Sequence, residues 1–247
     1  MKLAAQYDEE RSWIGPVPLT RVVKRAMDIF GALVGLTVLS PMFAAIALGI
    51  KLDSRGPVFF RQTRVGQGGS TFRIFKFRSM SVGSARPGIA LTVREDKRVT
   101  RFGAFLRKTK LDELPQLINV LAGEMSLVGP RPEVPEFMSY YTPRQRAIIL
   151  SAKPGITDYA AIRFRNESEL LDSARDPVAV YRSEIMPLKF AYYERYVSDI
   201  GILNDLRIIL ATIMLLVGGR IPRWLSIERK FETVPLLRRS DPTAGPV

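Results

Sequence analysis

Two acidic side chains stand next to each other in "KTKLDELPQL" (Lys108 to Leu117): Asp112 and Glu113, with basic residues just upstream and a proline just downstream. Adjacent carboxylates support two readings. Asp112 could be the N-cap of a helix, worth about 1 kcal/mol, with Glu113 adding a favourable interaction with the helix dipole. Alternatively, the pair could be a reaction centre. Neighbours on a helix point about 100° apart, so one carboxylate could attack an electrophile while the other holds a metal ion. The helix end and the nearby Arg107, Lys108 and Lys110 would keep both acids ionised, as a carboxylate nucleophile requires.

Composition narrows the chemistry further. The 247 residues include no cysteine and no histidine, which removes thiol nucleophiles, disulfides, thiolate metal sites and the commonest general base. Oxygen ligands alone suit a hard cation such as Mg²⁺ better than zinc. A net charge of +13 with pI ≈ 10.3 points to a partner rich in phosphate: nucleic acid, an anionic membrane surface or a phosphorylated small molecule. The length suits one domain, with or without an anchor.

Other residues could serve a phosphate chemistry. In "GPRP", Arg131 sits between two prolines that fix the backbone, which would hold a guanidinium for a bidentate grip on phosphate or simply shape a turn. Arg73, Lys76 and Arg78 lie in an aromatic stretch, where they are either functional or the charges of a solvated strand edge. "KPGITDYAAIRFRNE" adds Lys153, Arg163, Arg165 and Asn166, donors suited to phosphate or base recognition or to plain surface charge.

These side chains need elements to position them. Leu114, Leu117, Ile118 and Leu121 recur at helical spacing, so a helix with one buried face follows the acids, with Pro115 in its first turn. "RFGAFLRKTK" before it predicts a short basic helix. Val58 to Met80 reads as a β-hairpin whose strands are joined at Gly66, Gly68 and Gly69; without a following Lys-Ser/Thr, those glycines make a poor phosphate loop. Residues 81–98 read as a surface loop, and the tail after about Val234 as mobile.

One segment bears on location. From Ile29 to Ile50 the chain carries 22 residues without a charge, about 33 Å as a straight helix against a hydrocarbon core of about 30 Å. Ser40-Pro41 interrupts it at the centre, where a proline in a straight helix costs about 3 kcal/mol. Both flanks are basic: Arg21, Lys24 and Arg25 before, Lys51, Arg55, Arg61 and Arg64 after. Both ends therefore prefer the cytoplasmic side, which favours a re-entrant helix-break-helix over a kinked full span. The later segment Asp199 to Arg220 suits an interfacial or docked helix, and its apolar Ile208 to Val217 face could support a homodimer.

Taken in order, "KRAMDIFGALVGLTVLSPMFAAIALGIKLDSRGPVFFRQTRVG", "FKFRSM", "RKTKLDELPQLINVLAGEMSLVGPRP", "PGITDYAAIRFRN" and "YVSDIGILNDLRIILATI" resemble the bacterial sugar transferase family, the monotopic polyprenyl-phosphate sugar-1-phosphate transferases, also called phosphoglycosyl transferases. The resemblance covers about Lys24 to about Val217. It implies an α+β fold, mostly helical, in which a lead (1–20) precedes a re-entrant membrane hairpin (21–52), a catalytic domain with interfacial helices (53–220) and a tail (221–247). It implies that Asp112 attacks the sugar-bearing phosphorus of a UDP-sugar, releasing UMP, and that undecaprenyl phosphate then displaces the aspartate to give a polyprenyl diphosphate sugar that starts exopolysaccharide or glycoconjugate assembly. Glu113 matches the family's Mg²⁺ ligand, and Lys76, Arg107 and Arg131 match positions suited to gripping phosphate. Arg165 and Asn166 match a nucleotide-side "GRN" stretch in which Phe164 here replaces the glycine. The implied place is the cytoplasmic face of the bacterial inner membrane, against lipid and with no nucleic acid. The alternatives are a conventional glycosyltransferase releasing UDP and a basic membrane-surface scaffold without activity.

Overall fold

A computed structural model of the chain describes residues 18–83, 98–165 and 176–218. The expected lead and tail lie outside these residues, as does most of the expected loop at 81–98. The described fold is mostly helical, with two two-stranded sheets.

Helix α1 (Pro18–Asp53) is long and apolar enough to cross a membrane by length and composition. The helical run continues through Pro41, where the sequence predicts a break. The reason is local. Pro41 lacks the N–H that would bond the carbonyl four residues earlier, that of Thr37, and the Ser40 hydroxyl donates to that same carbonyl at 2.8 Å.

One stripe of α1 faces the rest of the protein along its whole length. Asp28, Ala32, Ile46 and Ile50 are buried, while Leu36, Leu39, Met42 and Phe43 pack against neighbouring core groups. The opposite side leaves Phe30, Leu33, Val38, Leu48 and Leu52 exposed. Both ends are fastened by cations. Near the start, Arg25 donates to the Val120 and Leu121 carbonyls at 2.6 and 3.0 Å. Near the end, buried Arg78 donates to the Ser54 and Arg55 carbonyls at 2.6 and 3.0 Å, capping the negative end of the helix.

The hairpin is where its alternating aromatic residues place it, as β1 (Phe59–Val65) antiparallel to β2 (Thr71–Phe77), with Lys76 opposite Phe60. Its glycine-rich joint is a turn, not a ligand loop: Gly68 and Gly69 take positive φ, and Gln67 donates to the Ser151 carbonyl at 2.9 Å. The predicted basic helix is α2 (Arg101–Thr109), followed by the 3₁₀ turn Leu111–Glu113 and α3 (Gln116–Ala122). Then come β3 (Ser126–Val128), α4 (Pro135–Met138), α5 (Pro143–Ser151) and β4 (Gly155–Thr157). β3 and β4 pair in parallel, a contact between distant segments that no local pattern announces.

The chain continues with α6 (Tyr159–Arg163), α7 (Pro177–Val180), a π-helical turn Tyr181–Ile185, α8 (Met186–Ser198) and α9 (Ile202–Leu216). The largest core group joins α4 to α9 around Tyr181, Ile185, Tyr193, Tyr196 and Ile208. Helix α9 is docked, as the sequence suggests: Asp205, Ile208 and Ala211 are buried, while Leu203, Leu206, Leu210 and Ile213 face outward.

Candidate active site

Asp112 and Glu113 occupy the 3₁₀ turn between α2 and α3. Lys110 creates that turn. At φ 60 it is the only non-glycine residue with positive φ among those described, and its N–H bonds back to the Arg107 carbonyl at 3.2 Å. A left-handed residue with a side chain is uncommon, and here it redirects the chain from one helix into the next. The N-cap reading of Asp112 fails, because α3 starts at Gln116 with Pro115 in the cap position and no side-chain cap bond.

The two acids lead different lives, as adjacent positions on a tight helical turn require. Glu113 is clamped. Its Oε1 accepts from Lys76 Nζ at 2.8 Å and from Arg131 Nη2 at 2.5 Å, and its Oε2 accepts from Arg131 Nη1 at 3.0 Å. Burial alone would raise its pKa, but Arg131 and Lys76 hold the carboxyl well below the usual carboxylate range. Asp112 is buried and has no hydrogen bond or ion pair among the described residues. Burial and the adjacent Glu113 push it up, against Lys76, Arg107 and Lys110. The nearby cations therefore act on both acids, through direct ion pairs at Glu113 and at longer range, from Lys76, Arg107 and Lys110, at Asp112.

Three predicted cations converge here. Lys76 reaches Glu113 from β2, and its own pKa is lowered by burial. Arg131 grips the same carboxylate in a bidentate fork from the segment after β3. Arg107, in the last turn of α2, lies near enough for its charge to act on Asp112. Arg165 lies just beyond α6 with no bond to this cluster, and Asn166 lies outside the described residues.

Sequence reasoning missed Asn119. Its buried amide accepts from the Phe75 N–H at 2.8 Å and donates to the Arg73 carbonyl at 3.0 Å and to Glu124 at 2.7 Å. It fixes α3 to the open edge of β2, one residue from Lys76. An asparagine one turn into an apolar helix is the sequence signal that could have marked it.

A divalent metal ion would find a workable donor set. Among the described residues no third acid joins Asp112 and Glu113, which matches Mg²⁺, usually held by one or two carboxylates with substrate phosphates completing the shell. Oε2 of Glu113 takes one hydrogen bond and keeps a lone pair for a metal.

The model of the family described as bacterial sugar transferase matches residues 19–219. The chain is 39% identical over 204 residues to the UDP-glucose:undecaprenyl-phosphate glucose-1-phosphate transferase of Caulobacter vibrioides, covering 81% of this chain and 72% of that one. It is 38% identical over 216 residues to the Escherichia coli protein of the same name, covering 83% of this chain and only 44% of that one. It is 40% identical over 205 residues to the exopolysaccharide production protein PSS of Rhizobium leguminosarum, covering 78% of this chain and 94% of that one. With its acid pair, its converging cations and a family match over most of its length, this chain belongs to the bacterial sugar transferase family.

Proposed function

We propose that the protein transfers a sugar-1-phosphate from a UDP-sugar to undecaprenyl phosphate, through an aspartyl-phosphosugar on Asp112, as an opening step of exopolysaccharide or glycoconjugate assembly. A carboxylate oxygen of Asp112 forms a bond to the sugar-bearing phosphorus as the anhydride bond to UMP breaks. The acceptor's phosphate oxygen then attacks that phosphorus, the bond to Asp112 breaks, and the carboxylate returns. Such transfers need positioning and charge neutralisation more than acid–base machinery, so a chain without histidine can perform them.

The observation that carries this reading is the asymmetry of the pair: a buried Asp112 with no bonding partner beside a Glu113 gripped by Lys76 and Arg131. The uncommitted acid is the nucleophile. The fixed one holds two cations where phosphate oxygens must arrive, and with those oxygens it would hold Mg²⁺, which supplies neutralisation of diphosphate charge. The Arg107 side chain, with no hydrogen bond or ion pair among the described residues, would receive an incoming phosphate.

A monotopic placement is supported by the way α1 packs, and the cytoplasmic face by the basic residues on both flanks of its apolar segment. Its 36 residues would extend about 54 Å if straight, far beyond the hydrocarbon thickness, and both ends contact the body that carries the acid pair. An enzyme whose acceptor has its phosphate at the bilayer surface gains from that arrangement.

The test is to incubate the purified protein with donor alone. A mass increase equal to one sugar-phosphate on Asp112, with release of UMP, is expected; release of UDP would mean transfer of the sugar without its phosphate. Asp112→Asn should give neither adduct nor UMP.

A further inference from the structure

The turn that presents Arg131 has few ways to be held, and all of them are used. Pro130 and Pro132 have no N–H, so between Gly129 and Glu133 only Arg131 can donate from the backbone. That N–H goes to Asp158 Oδ2 at 3.1 Å, while Asp158 Oδ1 accepts from the Ala161 N–H at 2.5 Å as the N-cap of α6. On the other side Arg64, near the end of β1, donates Nη1 to the Pro132 carbonyl at 3.0 Å and Nη2 to Gln62 Oε1 at 2.7 Å. Its Nε is enclosed without a hydrogen-bond partner. Below the turn, Gly129 donates to the Thr157 carbonyl and Gly155 to that of Pro130, each at 3.0 Å. A Cβ on either glycine would run into the other strand.

Arg64 is an expensive way to hold a carbonyl. It faces Arg131 and Lys76 as like charges, with Glu113 and Glu133 as counter-ions. Glu133 is buried and already accepts from the Tyr181 hydroxyl at 3.1 Å. Arg64, Arg131 and Lys76 therefore gather around Glu113 and Glu133, and Arg64 adds positive charge beside Arg131. A neutral donor would serve the carbonyl as well; only a site that takes an anion profits from the charge.

We propose that Arg64 and Asp158 are positioning residues for Arg131, holding its turn from opposite sides so that the guanidinium meets the diphosphate of the nucleotide donor, with Arg64 adding attractive charge without touching the substrate. The proposal rests on the phosphosugar-transfer reading, and its test is separable from that reading. Affinity for UDP, which cannot react, is measured by calorimetry on the full chain in detergent or nanodiscs, alongside KM and kcat for UDP-glucose or whichever UDP-sugar turns over. Arg131→Met should weaken UDP binding about 100-fold. Arg64→Met and Asp158→Asn should each weaken it about 10-fold and raise KM more than they lower kcat, each still unfolding in a cooperative thermal transition. Arg64→Met combined with Arg131→Met should lose clearly less than the product of the two single losses, leaving only the part due to the charge of Arg64. Arg64→Lys, which keeps the charge and one donor, should recover part of the loss and stands in if Arg64→Met does not fold. Unchanged UDP affinity in Arg64→Met and Asp158→Asn, or losses that multiply in the double variant, would overturn the proposal. Absence of an adduct on Asp112 in a protein that still loses UDP affinity in these variants would instead overturn the parent reading.

Discussion

Two acids, the partly buried Glu113 at the candidate site and the fully buried Asp205 on α9, each face a cation from a remote part of the chain, yet burial prevails over one and not the other. Asp205 accepts from Lys24 of α1 at 2.6 Å and from the Tyr196 hydroxyl at 3.0 Å, and its carboxyl is still pushed up, burial outweighing Lys24. Glu113 is only partly buried and faces a bidentate arginine and a lysine, and its carboxyl is driven well down. One ammonium and one phenol do not repay the removal of a carboxylate from water; a forked guanidinium with an ammonium does. The first arrangement is a staple, joining α1 to α9 and, through the Val128 carbonyl that Lys24 also meets at 2.9 Å, to β3. The second is a charged platform that keeps its ionisation and can present cations to an anion.

This contrast can be broken in order of expected effect. Asp112→Asn removes the one acid outside both arrangements and should cut turnover by about a thousand-fold or more, with no adduct by mass spectrometry and little change in thermal midpoint. Glu113→Gln leaves two enclosed cations facing a neutral amide; turnover should fall about 100-fold, and chemical denaturation should show a loss of about 3 kcal/mol. Lys24→Met strips Asp205 of its cation and should cost a similar amount of stability but only several-fold in turnover, with Lys24→Met/Asp205→Asn restoring part of the stability, as a staple predicts. If Lys24→Met instead lost as much activity as Glu113→Gln, the division between staple and platform would be wrong.

The smallest effect concerns pH. Burial raises Asp158 from 3.8 to about 6. Below its ordinary value the group is protonated in both folded and unfolded chains and costs nothing. As pH rises through about 6 the folded protein must carry a buried charge, which removes about 3 kcal/mol relative to pH 3.5. Asp158→Asn should flatten that part of the stability profile, measured by denaturant melts between pH 4 and 7.

Much of this was legible in the sequence, and the limits have a physical cause. The hairpin, the basic helix before the acids and the apolar helix after them follow from alternation and helical spacing, which are local. Lys76, Arg107 and Arg131 could be picked out as cations of the right kind, but only the fold shows that Lys76 and Arg131 meet on one carboxylate. Arg64 read as a basic flank of the membrane segment, and Asp158 was not singled out, because their partners, Pro132 and Arg131, lie 68 and 27 residues away. The helical run across Pro41 has a smaller, local reason: the serine before it donates to the carbonyl that proline leaves unbonded.

The amide of Asn119 carries a consequence for the hairpin. Two strands alone are marginal in water and slide easily, and a slip of one position would swing every second side chain to the far side. Because Asn119 bonds to the backbone at both Arg73 and Phe75, it works as an index pin: the ribbon can lock in a single phase only, and that phase keeps the ammonium of Lys76 trained on its target.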